Sequence, residues 1–374
     1  KRVGSDARNP HRLRVHQRIA IVHAVDLADH HHSLHRHLLC EKSKQLFCRD
    51  DRAPLPVIKR YVPIDQGDQS ALKGALDQEL NAAALVHLAA LPQLQYLELR
   101  DNNIGDLGLK HLKRCKKVRL LDVRGCQRVT DAGLGHLTGL IHLRAIRLRN
   151  PTISDSGLAK LAGLSQLTEL SVEGPAAITD DGLRVLANFH EMTSLRVSHC
   201  PGVSDRGLAP LAGMPKIRLL FLRGTPITGA CLGCVKDGAD LRRIDLAETK
   251  ADNDALKHFR VMRSLQWLSL WKTQVTDAGM PHLAGLLKLT YLRLAETAVG
   301  DAGLAEIAKI ESLEQLDLEL LQISDKGLAQ LQDLKNLKRL NIAMVVVSDE
   351  AVSNLQAAIR GLEVLRWRIP GGWP

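Results

Sequence analysis

The chain has 374 residues, of which 45% are hydrophobic and only 3% are aromatic. This apolar content is enough for a folded core, but no apolar run approaches the roughly 18 residues that a membrane-spanning helix requires. The formal net charge is +10, yet residues 1–60 hold 13 Lys or Arg against 6 Asp or Glu, a net +7 that leaves +3 for the rest. The larger part of the chain therefore lacks the strong positive charge that favours nucleic-acid binding.

Residues 1–67 differ from everything after them and are predicted to be a poorly ordered, basic, His-rich leader and linker. Half of the sixteen histidines lie between His11 and His37. Imidazoles are good metal ligands, so a metal-binding tract is one interpretation. The crowding has no periodicity, which favours the leader, or a segment that is not natural coding sequence. No metal site and no cofactor are predicted.

A helix is predicted over residues 70–91, because leucines from Leu72 to Leu88 recur at helical spacing. It is expected to cover the N-terminal end of the repeat array that follows.

From residue 104 onward, a six-residue motif occurs in eleven copies at a spacing of 24 or 25 residues. One copy reads Val275-Thr276-Asp277-Ala278-Gly279-Met280. The copies begin at Ile104, Val129, Ile153, Ile178, Val203, Ile227, Ala251, Val275, Val299, Ile323 and Val347. A fixed period of this size indicates a solenoid, in which each unit buries its apolar face against its neighbours.

Each unit combines a strand pattern with a helix pattern. In the unit from Leu265 to Leu286, leucines with period two precede apolar residues with period three to four. Thr276 is predicted to cap the helix N-terminus, with Asp277 favoured there by the helix dipole. Because Gly is a poor helix former, Gly279 and its equivalents are predicted to mark close backbone packing between neighbouring units.

The pattern L-x-x-L-x-L-x-x-[N/C/T] followed by [VI]-[TS]-D-x-G-L resembles leucine-rich repeat proteins, in particular the repeats of F-box proteins and of bacterial proteins built of TDxGL units. The match covers about residues 94–367. The resemblance implies an α/β fold over residues 68–374: a right-handed horseshoe solenoid of about eleven repeats, with a parallel sheet on the concave face and helices on the convex face. It also implies that the chain binds another macromolecule.

Two details of the repeat vary along the array. After each strand, Asn102 or a Thr such as Thr273 can hydrogen-bond the turning backbone, whereas Leu321 and Val345 cannot, which predicts looser turns near the C-terminus. The last strand is predicted within a cap over residues 362–374, from Leu362-x-x-Leu365-x-Trp367, with Trp367 filling the final inward-facing position.

Seven cysteines form no paired clusters. Cys126 and Cys200 occupy equivalent positions three repeats apart, about 14 Å at the usual strand spacing, too far for a disulfide. Cys231 and Cys234 form a C-x-x-C, but core packing is a simpler interpretation than redox chemistry or half a zinc site. These thiols indicate a reducing compartment and thus a cytoplasmic protein. The chain begins with Lys, which leaves an upstream segment and export open.

On each strand, three positions that face away from the core form the concave face. Five of the chain's eleven aromatic residues lie there, and four of them fall within four consecutive repeats. Trp267 and Tyr291 occupy the same position on adjacent strands and are predicted to stack. The residues predicted to bind a protein partner of unknown identity are Phe221, Arg223, Arg243, Trp267, Trp271, Tyr291 and Arg293. A second, basic patch, suited to an anionic ligand, is predicted from Arg100, Arg124, Arg147 and Arg149.

The repeats contain no phosphate-binding loop, no nucleophile motif and no metal-ligand spacing, so a non-catalytic interaction scaffold is expected and not an enzyme. Two alternatives stay open. The stretch from Ala53 to Pro56 is slightly similar to the opening of an F-box, which would make the chain a substrate-receptor or effector subunit of an F-box-like ubiquitin ligase. Nucleic-acid binding through the aromatic and Arg side chains is the other, less favoured alternative.

Overall fold

The computed structural model describes Leu85, residues 93–235 and residues 240–367. The predicted leader, its histidines and the F-box-like stretch lie outside these residues. Of the helix predicted over residues 70–91, Leu85 alone is described, and it is helical and fully buried.

Twelve strands of the described chain form one parallel sheet, in which spatial order follows sequence order. The strands are β1 Tyr96–Glu98, β2 Leu120–Asp122, β3 Ala145–Leu148, β4 Glu169–Glu173, β5 Ser194–Ser198, β6 Leu219–Phe221, β7 Arg243–Asp245, β8 Trp267–Ser269, β9 Tyr291–Arg293, β10 Gln315–Asp317, β11 Arg339–Asn341 and β12 Glu363–Leu365. Neighbouring strands pair at equivalent positions of consecutive repeats, as Trp267 does with Tyr291. The predicted α/β solenoid with a parallel sheet is confirmed.

Short helical segments follow the strands. The α-helices are α1 Asp106–His111, α2 Asp131–Gly135, α3 Asp155–Ala159, α4 Asn253–Leu256, α5 Asp301–Ile307, α6 Asp325–Ala329 and α7 Asp349–Ala358. The 3₁₀ segments are Leu112–Arg114, Gly182–Asn188, Asp205–Gly213, Ala230–Cys234, Lys257–Val261, Asp277–His282 and Gln330–Asp333. Most have seven residues or fewer because each coil allots only about 24 residues to a strand, two turns and a helix.

A single apolar core runs through all coils, and the leucines of the repeat supply most of it. In β8 and the residue after it, Leu268 and Leu270 are fully buried, as their period-two spacing predicts. The described cysteines are free, and Cys115, Cys126, Cys200 and Cys231 are buried in this core. Burial raises the pKa of the Cys126 thiol to about 11, so it acts as an apolar filler.

Ser and Thr residues cap many of the helices, as the repeat pattern predicts. Thr130 Oγ1 accepts a hydrogen bond from the amide of Ala132, and Ser154 Oγ accepts one from Ser156. Thr276, the residue for which the cap was predicted, makes no such bond. Its Oγ1 instead accepts a hydrogen bond of 2.8 Å from Nδ2 of Asn253 in the preceding coil.

The acidic residue after the cap joins one coil to the next. Asp106 accepts hydrogen bonds from the amide and the hydroxyl of Thr130 at 2.8 and 2.6 Å, and Asp131 does the same with Ser154. Asp or Asn accepts an equivalent amide bond at the later junctions between described coils, except between Gly229 and Asp252. We call this row the aspartate ladder.

The aspartate ladder explains the recurring glycine. A Cβ atom on Gly133 would lie 2.2 Å from Oδ1 of Asp106, and one on Gly157 would lie 2.1 Å from Oδ1 of Asp131. The predicted close approach of neighbouring units is therefore present, but a carboxylate, and not backbone, is met first. Glycine permits this close approach, although Cys231 and Ala351 hold the same position at two junctions where Asp205 and Asp325 still bond the next coil.

The last strand is one residue out of the predicted register. Val364 pairs with the buried Leu340 and thus takes the inward position predicted for Leu365. Trp367 lies on the concave face and is 43% exposed. Its carbonyl accepts a hydrogen bond from the amide of Met344, as the carbonyl of Ala343 does from the amide of Leu320 in the preceding coil. The prediction that Trp367 closes the core is wrong, since only one residue separates the buried Leu362 from Val364.

The turns near the C-terminus keep the backbone geometry of the others. The amide of Leu321 bonds the carbonyl of Leu318 at 3.2 Å, as that of Thr273 bonds Leu270 at 3.3 Å. Thr273 adds a hydroxyl bond of 2.6 Å that Leu321 lacks. Whether the turn opens more readily stays a prediction. Within the described residues, no helix has the length and apolar character needed to cross a bilayer.

Candidate functional site

Each strand offers three positions to the concave face: first, second and third. In the β8 coil these are Trp267, Ser269 and Trp271. They alternate with core leucines, because successive side chains of a strand point to opposite sides of the sheet. Trp267 and Trp271 are half-buried by neighbours on the concave face and do not enter the leucine core.

The predicted pair of stacked rings is present. The ring centroids of Trp267 and Tyr291 lie 5.0 Å apart with an angle of 9° between the planes. The two residues are in register on β8 and β9, so the parallel pairing itself aligns the rings. Tyr291 is 8% exposed, while Trp267 keeps more of its surface open. The stack gives a stiff aromatic surface that needs no reordering before binding.

Trp271 is fixed by three polar neighbours. The guanidinium of Arg223 lies 4.6 Å from its ring centroid and that of Arg293 lies 4.5 Å from it. Its indole Nε1 donates a hydrogen bond of 3.0 Å to Glu296. Cation–π contacts of this kind each contribute about 0.5–1 kcal/mol at exposed sites. Ala247 and Ala295 occupy the third position of the adjacent coils, and these small side chains leave room for the indole.

The two arginines beside Trp271 are paired with acids. Arg223 donates two hydrogen bonds of 3.3 Å to Glu248, and Arg293 lies 2.9 Å from Asp317. Burial tends to raise the pKa of Glu248, but the bonds and charge of Arg223 outweigh it and lower the pKa. For Asp317 burial prevails over Arg293 and raises the pKa. The site therefore presents the flat guanidinium groups of Arg223 and Arg293 with little net charge.

Of the other predicted residues, Phe221 is 9% exposed and Arg243 lies in register with Trp267 on β7. Sequence reasoning missed Arg196, whose guanidinium lies 4.0 Å from the ring centroid of Phe221. The signal was available, because Arg196 and Phe221 hold the second position of adjacent strands. We name Phe221, Trp267, Trp271 and Tyr291 the aromatic cluster.

The predicted basic patch is organised around one buried acid. Asp122 is fully buried, and its Oδ2 lies 2.6 Å from Arg100, 2.8 Å from Arg124 and 3.8 Å from Arg147. Burial by itself raises the pKa of Asp122, but the hydrogen bonds and charges of Arg124 and Arg100 together lower it.

The remaining positive charge of the basic patch is also matched. Arg147 bonds Glu169 at 2.6 Å, and Arg149 pairs with Asp101 at 3.1 Å. The patch is thus a network of ion pairs more than a free positive surface. Its binding of an anion stays a prediction. Over the described residues, no group of three or more His, Cys, Asp or Glu side chains could hold a metal ion.

Comparisons with known proteins agree with the fold. A family model described as a leucine-rich repeat matches residues 91–113, 190–212 and 286–308. No protein with a curated description matches the sequence significantly. Among solved structures, an internalin (InlF) of Listeria monocytogenes has a TM-score of 0.54 at 17% identity and covers 77% of this chain and 94% of its own.

A chain of the yeast Rad7–Elc1 complex has a TM-score of 0.50 at 17% identity, covering 80% of this chain and 88% of its own. At such identities the likeness shows the fold alone. With the matched repeats, the eleven copies of the sequence motif and the sheet that they build, the fold makes this chain a leucine-rich repeat protein.

Proposed function

We propose that the chain is a non-catalytic scaffold that binds a protein partner on its concave face, with the aromatic cluster and its flanking arginines as the centre of the interface. The observation that carries the proposal is the fixed, half-buried position of Trp271 between Arg223 and Arg293, beside the stacked Trp267 and Tyr291. Trp, Tyr and Arg dominate binding hot spots because they bring large, stiff contact areas with a polar edge.

Rigidity supports this assignment. Side chains that are already ordered lose little conformational entropy on binding, so more of the contact energy appears as affinity. The stack and the Trp271 hydrogen bond supply that order before any partner arrives. A chain of the same fold is found in a complex of two proteins, Rad7 with Elc1, which agrees with a scaffold role.

Ion pairing at the site favours a protein over a nucleic acid. Arg223 and Arg293 already have carboxylate partners, whereas nucleic-acid binding uses unpaired cations that neutralise phosphates and displace the counterions condensed on them. An affinity that falls steeply with salt would favour nucleic acid instead. The F-box-like role depends on residues outside the described part of the chain and stays a hypothesis.

The test is capture of a partner by the full chain, followed by affinity measurements on the purified pair. Replacing both Trp267 and Trp271 with Ala should weaken binding by about 30-fold or more, equivalent to about 2 kcal/mol. Trp367→Ala is the matched control, since Trp367 also lies on the concave face but four strands from Trp271. Equal affinities of the wild type and the double variant would contradict the proposal, provided that circular dichroism shows both to be folded.

A further inference from the structure

Two serines on the concave face carry buried hydroxyls with no hydrogen-bond partner. Ser171, at the second position of the β4 coil, is 4% exposed, and Ser198, at the third position of the β5 coil, is 3% exposed. Neither Oγ atom has a partner among the described residues. A buried hydroxyl without a partner is destabilising, so two on one face call for an explanation.

Arg196 lies between the two serines. It is in register with Ser171 on the adjacent strand and is two residues from Ser198 on its own strand. Its guanidinium stacks on Phe221, and within the described part of the chain it makes no ion pair. The nearby Arg147 and Arg223 are each paired with a glutamate. Arg196 is therefore the cation here whose charge is available to a ligand.

The serines and Arg196 form an incomplete set of donors. A guanidinium only donates hydrogen bonds and a hydroxyl can donate one, so an oxyanion is the group that can accept from all three. A carboxylate fits better than a phosphate, because one available positive charge matches one negative charge. Glu173, in register with Ser198, further disfavours a doubly charged group by repulsion.

We propose that Arg196, Ser171 and Ser198 form a subsite for a carboxylate side chain of an acidic partner segment. This inference rests on the proposed function, since the same segment would also reach the aromatic cluster. The neighbouring side chains that cover the hydroxyls turn aside when the carboxylate enters, and Arg196 leaves its stack on Phe221 to bind it. The subsite makes the partner's acidity, and not only its apolar contacts, a determinant of affinity.

The sheet also sets the distance between the two parts of the motif. Arg196 lies on β5 and Trp267 on β8, three strand spacings or about 14 Å apart. An extended peptide advances about 3.3 Å per residue, so about four residues span this distance. The partner segment is thus an Asp or Glu followed or preceded, about four positions away, by an aromatic or large apolar residue.

The experiment uses a library of random 12-residue peptides displayed on phage and selected on the full chain. The wild type should enrich peptides that carry an acid about four residues from an apolar anchor. One enriched peptide and its Glu→Gln (or Asp→Asn) version are then titrated against the wild type and Arg196→Gln. Removing the peptide's charge should raise Kd at least tenfold with the wild type and less than threefold with Arg196→Gln. The four Kd values form a double-mutant cycle, which isolates the interaction between Arg196 and the acid.

Two further variants should change the affinity for the acidic peptide in opposite directions. Replacing Ser171 and Ser198 with Ala removes unpartnered hydroxyls, so the free chain should unfold at the same or a higher urea concentration while the acidic peptide binds several-fold more weakly. Glu173→Gln removes a repelling charge and should tighten binding of the acidic peptide. A double Ser variant that loses stability and binds the acidic peptide as well as the wild type would overturn the subsite.

The outcomes separate this inference from the proposed function. Peptides that depend on Trp267 and Trp271 but show no acidic preference, or whose acid is insensitive to Arg196→Gln, would overturn the carboxylate subsite alone. Peptides insensitive to the tryptophan variant would overturn the aromatic cluster as the binding centre. Failure of the wild type to enrich any peptide would count against both.

Discussion

Replacing Gly133 with Ala should destabilise the chain, although alanine is the better helix former. The added Cβ atom would lie 2.2 Å from Oδ1 of Asp106, 3.1 Å from its Cγ and 3.2 Å from a methyl of Leu109, all of them side-chain atoms of the preceding coil. Moving the carboxylate away would disturb the hydrogen bonds that it accepts from the amide and the hydroxyl of Thr130. The substitution therefore forces either a steric clash with Asp106 or the loss of the hydrogen bonds that link the two coils.

The structure gives the size of each effect. Overpacking typically costs about 1–3 kcal/mol, and the gain in helix propensity from Gly to Ala returns about 1 kcal/mol, so we expect a net loss of up to about 2 kcal/mol. Asp106→Ala should cost about 1.5–3 kcal/mol, because two hydrogen bonds to a charged group are lost and the Thr130 amide is left without its acceptor. In the Asp106→Ala background, Gly133→Ala should become neutral or slightly stabilising.

The assay is urea unfolding followed by circular dichroism, with amide exchange over residues 130–135 as a local measure, because repeat arrays can unfold in parts. Gly163→Ala is the control, since nothing lies within 4 Å of a Cβ atom there. The reasoning fails if Gly133→Ala is as harmless as Gly163→Ala, or if its cost is the same with and without the Asp106 carboxylate.

Three further predictions concern the basic network and the turns. Asp122→Asn should cost about 2–3 kcal/mol near pH 7. Because the pKa of Asp122 is lowered on folding, this stabilisation is present above the unfolded pKa of 3.8 and disappears as the pH falls through the folded pKa. The unfolding free energies of wild type and variant should therefore converge in urea titrations at acid pH. A difference that stays constant with pH would contradict the network. Leu320→Gly should stabilise by about 0.5–1 kcal/mol, because Leu320 has φ 60° and is 43% exposed; equal or lower stability in urea would show that its side chain packs usefully. The amides of Leu321 and Val345 should exchange faster than that of Thr273, which equal rates measured by NMR would disprove.

The sequence was sufficient for the fold because the repeat itself encodes it. Leucines at fixed spacing must face the core in every coil, and this spacing also fixes which residues share the concave face. The stack of Trp267 on Tyr291 followed directly, since both occupy the same position of adjacent strands. Strand register in a solenoid is thus readable from the period alone, provided that the period holds.

Three features needed coordinates. Trp367 was misplaced because one residue fewer separates Leu362 from the next inward residue, a change that a pattern of apolar residues does not reveal. Asp277 and its equivalents were assigned to their own helix, although most such acids bind the following coil, a contact between residues about 24 positions apart. The sequence shows the arginines of the basic patch only as charges, because their pairing with the buried Asp122 depends on side-chain conformations.

The aspartate ladder and the aromatic cluster meet at one junction of the solenoid. Between Gly229 and Asp252 the described coils lack the side-chain link, because glycine, with φ 91°, replaces the acid. On the opposite side of the sheet, Arg223 crosses this junction, since it belongs to the coil of Gly229 while both of its contacts, Glu248 and Trp271, lie beyond it. The concave contacts thus supply part of the connection that the helix side lacks. A partner that holds Arg223 against Trp271 would stabilise this junction, so protection from amide exchange on binding should extend to the helical residues 230–234 behind the site.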